Sequence, residues 1–459
     1  MHVPHAVLVF ATTCAALTAQ ADRLELGLRL RSFERALAAQ PDPARRDAAF
    51  VALERGVQAF FRLDTAAVAE AVTDAEAALA GGERSAGQRF AASLQLVLPA
   101  RLLTAGDRVR FSLRPCWSSG IEQPEQFSLQ VRIEPTGQTL SLTVRELPNG
   151  GELPLGDTAA GDHALHWRLL AGDTVLGERT AFFSVVDDLA PRLDALDAAA
   201  ATAGKDLEGL TLVALSRTLR TMTRRRGEET VLPGARLLAE AELLARAVAA
   251  GTPFYGPSRD GQFWLRVPTA TGTFSVRLLV PPPTDGKQPL VLALHGAGGS
   301  ENLFFDGYGD GEIVRQCAQR GFYLCAPRAG FGVPDLPALV DALARRYPID
   351  PQRVLLVGHS MGAAMAVGAA SRNPARFTAV AALGGGGDVR DGEALRRLPF
   401  FVGTGSRDFL RGSATTLRER LRALEVPVEW REYPGVEHLA VVQIALPDVF
   451  TWFDRTLAR

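Results

Sequence analysis

Apolar and polar positions change their spacing several times along the chain, and each change predicts a different kind of element. From Asp22 to about Gly82 apolar residues recur at helical spacing, as in Phe50, Leu53, Val57, Phe60 and Phe61, with Pro41 and Pro43 interrupting. Two or three helices packed as a hairpin or small bundle are expected there. From about Gln88 to Val186 the pattern becomes short alternating runs: Ser93–Leu98, Arg108–Leu113, Phe127–Ile133, Leu140–Val144, His163–Leu170 and Ala181–Val185. Turn signals such as Pro148-Asn149-Gly150-Gly151 separate them, which predicts a β-sandwich of immunoglobulin-like kind acting as a spacer. A second helical stretch, Leu189–Ala250, is broken near Gly227–Gly234 and reads as a connector.

Beyond Phe254 strands and helices alternate. Strands are predicted at Gln262–Val267, Thr273–Val280, Leu290–Leu294, Phe322–Ala326, the run before Ser360, Phe377–Leu383, Pro399–Gly403 and Val428–Tyr433. Helices fall at Glu312–Gln319, Leu336–Arg346, the run after Ser360, Ser413–Leu424 and Val441–Leu457. Such alternation predicts an α/β fold, a mostly parallel sheet covered on both faces, whose sites lie at the carboxyl ends of the strands. The chain is thus expected to divide into a leader (1–21), a helical segment (22–87), a β-sandwich module (88–187), a helical connector (188–251) and a catalytic domain (252–459).

The leader reading rests on an apolar core ending in Ala19-Gln20-Ala21, a small-x-small site of the kind signal peptidase cuts, although His2 and His5 stand where Lys or Arg is usual. It predicts export to the periplasm or beyond the cell. No other apolar stretch approaches the roughly 20 residues that a membrane span needs. Net charge is -1, from 50 basic and 51 acidic residues, so no general field draws the chain to nucleic acid. Lys205 and Lys287 are the only lysines, an imbalance spread along the whole chain that reads as compositional bias. Past the leader the cysteines are Cys116, Cys317 and Cys325; a Cys317–Cys325 disulfide and two buried thiols are both open readings.

Candidate chemistry centres on Arg353–Ser371. An apolar burst, Val354–Val357, runs through Gly358-His359-Ser360-Met361-Gly362 into a small-residue helix. In this strand, sharp turn and helix, glycine is needed at both ends of the turn and the serine hydroxyl stands clear of the backbone. Ser360 is therefore the candidate nucleophile. His295-Gly296-Ala297-Gly298-Gly299 follows the Leu290–Leu294 strand, Asp408 follows Gly403-Thr404-Gly405-Ser406-Arg407, and His438 ends Pro434-Gly435-Val436-Glu437-His438, so all four fall on one rim. Of seven histidines, two lie in the leader, two in the sandwich, and His295 and His359 inside the loops just named. That leaves His438 as the base.

The order Ser360, Asp408, His438 is the one expected on an α/β-hydrolase sheet. Residues from about 262 to 459 resemble that fold, and within it the esterases related to feruloyl esterases, polyhydroxybutyrate depolymerases and dienelactone hydrolases. The HGAGG loop, the Tyr347-Pro348-Ile349-Asp350 lead-in to GHSMG, the GSRD loop and the GVEH loop carry the likeness, over less than half of the chain. The resemblance implies a Ser360-His438-Asp408 triad, an acyl enzyme, and an oxyanion hole from the backbone of Met361 with Ala297 or Gly298. His295 is expected to support its loop, His359 to sit beside the serine, and Asp388 to be the rival acid.

Leu303, Phe304, Phe305 and Tyr308 are expected to form an apolar wall beside the serine. Between Leu383 and Pro399 there is no room for the lid domain many lipases carry, which predicts an open cleft that admits a small or polymer-linked ester. No cofactor or metal is expected. His163 and His166 point to opposite faces of a strand. Asp306–Gly311 lacks the EF-hand ligands at Tyr308 and Cys317, and Gly384–Gly387 lacks the Lys-Ser/Thr of a phosphate loop. Two rivals to the esterase remain. One is a prolyl oligopeptidase-like peptidase, for which the strands before residue 187 are too few to build a propeller; the other is an inert binding or scaffold protein, against which the intact Ser, Asp and His argue.

Overall fold

The computed structural model describes residues 21–458 apart from 122–126, 136, 145–148, 157, 225–227, 331 and 391–392, so all of the leader but its last residue lies outside the described residues. The chain begins with three helices, α1 (Arg23–Ala39), α2 (Pro43–Phe61) and α3 (Thr65–Ala80). Each starts at an aspartate, Asp22, Asp42 or Asp64, whose carboxylate accepts a first-turn backbone N–H. That interaction satisfies a donor the helix leaves unpaired. Pro43 occupies the first turn of α2, where its missing N–H costs nothing.

A short helix, α4 (Ala86–Ala92), leads into eight strands: β1 (Leu94–Val97), β2 (Leu102–Thr104), β3 (Arg108–Pro115), β4 (Phe127–Glu134), β5 (Gln138–Val144), β6 (Asn149–Pro154), β7 (Gly161–Ala171) and β8 (Thr174–Val186). They form a three-stranded sheet, β1-β3-β6, and a five-stranded one, β2-β8-β7-β4-β5. Alternate side chains of both sheets, among them Leu96, Phe111, Val131, Trp167 and Phe183, share one hydrophobic core. Asn149, Gly150 and Gly151 are not a turn, as their composition predicts, but pair with Leu113, Ser112 and Phe111 in the ladder. Glycine reads as a turn signal locally, yet a strand partner that needs no side chain beside it overrides that signal. His163 is buried against the Glu134 and Ala159 carbonyls while His166 is exposed beside Thr180, so the two rings occupy opposite faces.

Helices α5 (Leu189–Ala201), α6 (Leu207–Met222) and α7 (Gly234–Ala250) follow. The last part holds strands β9 (Gly261–Thr269), β10 (Gly272–Val280), β11 (Gln288–Leu294), β12 (Tyr323–Pro327), β13 (Ile349–His359), β14 (Ala379–Leu383), β15 (Phe400–Gly405) and β16 (Val428–Tyr433). Its helices are α8 (Leu303–Asp306), α9 (Tyr308–Arg320), α10 (Leu336–Ala344), α11 (Met361–Arg372), α12 (Arg411–Ala423) and α13 (Ala440–Leu457). The strands make one sheet in the order β16-β15-β14-β13-β11-β12-β10-β9, parallel from β12 to β16 and antiparallel at β10.

Both faces are covered, and not only by helices of the last part. Leu290, Leu292 and Leu294 face one core with α5–α7, α10, α11 and α12. Val291 and Ala293 face the other, which holds α9 and α13 together with Phe33 and Leu37 of α1, Phe50 and Leu53 of α2, and Val72 and Leu79 of α3. The N-terminal helices therefore bury their apolar stripes against the sheet layer as well as against one another. Cys317 belongs to this second core and Cys325 to the first, on opposite faces of the sheet, so both are free buried thiols and no disulfide joins them. Among the described residues no helix is long and apolar enough to cross a membrane.

Candidate active site

Ser360 sits at the corner between β13 and α11 with φ 56° and ψ -118°, a backbone conformation that non-glycine residues seldom adopt. The corner is held by the Ser360 N–H, which donates to the Leu383 carbonyl at 3.0 Å. It is also why the flanking glycines cannot be replaced. A Cβ on Gly358 would lie 2.1 Å from the Gly362 carbonyl oxygen, and one on Gly362 would lie 1.9 Å from that of Leu294.

Asp408 lies just beyond β15 and His438 just beyond β16, at the same edge of the sheet. His438 Nδ1 donates to Asp408 Oδ1 at 2.8 Å, and the same oxygen accepts the Leu410 N–H at 2.8 Å. Asp408 Oδ2 is buried without a partner among the described residues. Ser360 and His438 line the same cavity. Among the described residues no hydrogen bond engages the Ser360 hydroxyl; in hydrolytic sites such contacts commonly tighten only when substrate arrives. Asp388 is 99% exposed in its side chain and pairs with Arg420 at 3.2 Å. Glu437 turns away and caps α13, accepting the N–H groups of Leu439 and Ala440, and burial pushes its carboxyl up to about 8.

The two other loop histidines have structural partners. His295 donates from Nδ1 to the Gly296 carbonyl and accepts the Ala329 N–H at Nε2, so it braces its own loop. His359 donates from Nε2 to the His438 carbonyl at 3.0 Å and accepts the Tyr308 hydroxyl at Nδ1 at 2.7 Å. Burial, and then the neighbouring His438, hold His359 well below the usual histidine range, so it stays neutral and orients the backbone of His438. Tyr308 and His359 line the cavity, as do Ala297 and Gly298. Phe304 and Phe305 do not. They are 0% and 4% exposed, Phe304 packing on Tyr308 and Phe305 beneath the Arg277 guanidinium at 4.7 Å, so the expected aromatic wall from these two is instead part of the core.

The cleft is neither bare nor sealed: a partly enclosed cavity of about 420 Å³ lies over Ser360, and α1–α3 line one side of it. The missing insertion after Leu383 is a fact of the sequence, but the cover comes from the other end of the chain. Phe60 of α2 rests on Gly298, where an added Cβ would come within 2.4 Å of its ring, and Arg23 of α1 donates to the Gly298 carbonyl at 3.0 Å. On the outer side, Arg407 pairs with Asp47 of α2 at 2.8 Å. One signal of this close approach is present in the sequence: helix α1 carries Gly27 in its interior, and a Cβ there would lie 1.9 Å from the Glu229 carbonyl oxygen.

The Asp306–Gly311 stretch has a use of its own. Tyr308, Gly309, Asp310 and Gly311 have φ of 53°, 91°, 55° and 77°, a left-handed turn whose amides converge on one point. The carboxylate of Glu34, from α1, fills it, accepting the N–H of Tyr308 at 2.8 Å and of Asp310 at 3.3 Å. Such a nest of amides is an anion cradle. Burial outweighs these bonds and pushes Glu34 up to about 7.

A pH dependence of stability follows. The folded carboxyl keeps its proton to about pH 7, whereas an unfolded glutamate releases it near 4.5, so the folded state holds the extra proton between those values. Stability contributed by this group is therefore present below about pH 4.5 and is lost as pH rises to about 7. Urea unfolding of wild type and Glu34→Gln at pH 4.5 and 8 should show the difference in unfolding free energy moving by up to about 3 kcal/mol in favour of the variant. A difference independent of pH would mean that Glu34 titrates normally.

Residues 290–458 match the alpha/beta hydrolase family. Solved structures similar to the chain include an S-formylglutathione hydrolase from Agrobacterium tumefaciens, at 19% identity over 43% of this chain and 95% of that one, TM-score 0.34. A feruloyl esterase module from Clostridium thermocellum aligns at 15% identity over 43% and 88%, TM-score 0.34. A thermostable esterase aligns at 16% identity over 79% and 99%, TM-score 0.38. No curated protein matches.

Proposed function

We propose that this chain, whose C-terminal part is an α/β-hydrolase domain, is an exported serine esterase that cleaves carboxylic esters through an acyl enzyme. The observation that carries the reading is the convergence of a strained serine corner and a buried Asp408–His438 pair on one cavity.

In this mechanism His438 Nε2 takes the Ser360 proton as the oxygen attacks the ester carbonyl. Asp408 keeps the imidazole in the tautomer with hydrogen on Nδ1 and balances the charge that forms. The oxyanion is met by the Met361 N–H at the start of α11 and by an N–H of Ala297 or Gly298; loss of one such donor costs about 3–4 kcal/mol in other hydrolases. His438 returns the proton to the leaving alcohol, then activates the water that releases the acid. Export belongs to the reading through the leader, Met1–Ala21.

One experiment covers both parts. Protein recovered from the periplasm or medium should begin at Asp22 and turn over short p-nitrophenyl esters, while the matching p-nitroanilides are spared. Preferential cleavage of the anilides would transfer the chain to the peptidase reading. Retention in the cytoplasm with the leader intact would remove export.

A further inference from the structure

We infer that the helical layer α1–α3 is the specificity element of this site, forming one wall of an apolar pocket for an extended aliphatic chain on one side of the scissile ester. The inference rests on the esterase reading and names its substrate class: esters of aliphatic acids or alcohols.

Three observations converge. First, the walls of the cavity over Ser360 come largely from outside the hydrolase domain, with Leu30 of α1, Leu53 and Val57 of α2 and Val68 of α3 facing Leu303 and Leu439. Second, most of the polar groups around it are already engaged. Glu229 is held by Arg23 and Ser300, Asp306 by Arg277 and Thr230, and Asn302 by Trp264 and Ser300. Arg31, which also lines the cavity, makes no hydrogen bond or ion pair among the described residues, and burial is the main influence on it, lowering its pKa. A sugar placed here would leave most of its hydroxyls unpaired, which is costly in a buried site, whereas methylene groups meet mainly apolar surface.

Third, the apolar track continues outward. Phe61 and Leu63, at the tip between α2 and α3, are 56% and 85% exposed, and Phe409 is 54% exposed. Phe61 packs edge-on against Phe409, which packs on the His438 ring at 4.5 Å. Exposed apolar residues gathered at the rim of a cavity mark a binding groove.

The test uses two ester series on the full chain, p-nitrophenyl acyl esters from acetate to dodecanoate and alkyl acetates from ethyl to decyl. In the series whose varied side enters the pocket, kcat/KM should climb by about fourfold per methylene and then level off when the pocket is full. Which series climbs assigns the chain to the acyl or the alcohol side. Val68→Phe should lower the ratio of long-chain to short-chain kcat/KM by at least about tenfold, and Val68→Ala should move the plateau to longer chains. Opposite shifts from one position cannot come from general destabilisation. Flat profiles in both series, or both Val68 variants scaling every ester by one factor, would overturn the inference while leaving the esterase reading intact. Wild type that neither hydrolyses any ester nor reacts with a fluorophosphonate would overturn the esterase reading and the inference with it.

Discussion

Ser360→Ala is expected to lower kcat on a p-nitrophenyl ester by about 10⁶-fold while the protein remains folded. The size of the loss follows from chemistry: the hydroxyl oxygen is the atom that forms the acyl enzyme, and no neighbour takes its place at the corner. Folding should survive because, among the described residues, the Ser360 hydroxyl makes no hydrogen bond, and the corner is built by the backbone bond to Leu383 and the close approaches at Gly358 and Gly362. Alanine carries the same Cβ and tolerates the same φ as serine. A fluorophosphonate probe should label wild type and fail on the variant. Circular dichroism and thermal unfolding should match. Full turnover by Ser360→Ala would remove the serine from the reaction.

Asp408→Asn should reduce kcat by about 10⁴-fold, the scale seen when the acid of such a triad is neutralised. The Asp408 side chain is fully buried, and its Oδ1 accepts both the His438 Nδ1–H and the Leu410 N–H. An asparagine has one acceptor oxygen. Where the amide NH₂ takes the place of Oδ1 it meets Nδ1 and forces the proton to Nε2, leaving His438 unable to accept the serine proton; where the oxygen keeps that place the tautomer survives and the charge alone is lost. The imidazolium that forms during turnover also loses its counter-charge in a buried site. Glu437 cannot substitute, because its carboxylate is held by the start of α13. Asp388→Asn is the control: an exposed side chain paired with Arg420 should leave kcat unchanged and stability within about 0.5 kcal/mol. Equal loss from both variants would mean that the acid has been misassigned.

The hydrolase part was readable because its signals are local. Strand, turn and helix around Ser360 follow from residues within a short window, and the glycines at 358 and 362 answer to clashes with the carbonyls of Gly362 and Leu294. Apart from α8, which is four residues long and lies in a stretch expected to be a loop, the strands and helices of residues 261–457 lie within a few residues of their predicted places, since buried parallel strands are runs of apolar residues and their helices keep a 3.6 period. The β module was partly readable. Its two sheets have the expected alternation, but β2 is three residues long and β6 begins in Asn-Gly-Gly, so neither carries a strand pattern of its own.

The helical layer shows where such reading stops. That α1, α2 and α3 are helices with one apolar stripe is written in their spacing and in the aspartates that start them. An apolar stripe states that something must cover it, not what. Only the tertiary structure joined Phe33, Phe50 and Val72 to the core of a sheet more than 200 positions away, seated Glu34 in the amides of Tyr308 and Asp310, and laid Phe60 over Gly298. The same division runs through the site. Residue types and their order along the chain determined which groups carry the chemistry, because nucleophile, base and acid are intrinsic to side chains. What surrounds them was decided by packing between distant segments, because the hydrophobic effect rewards burial without specifying the partner.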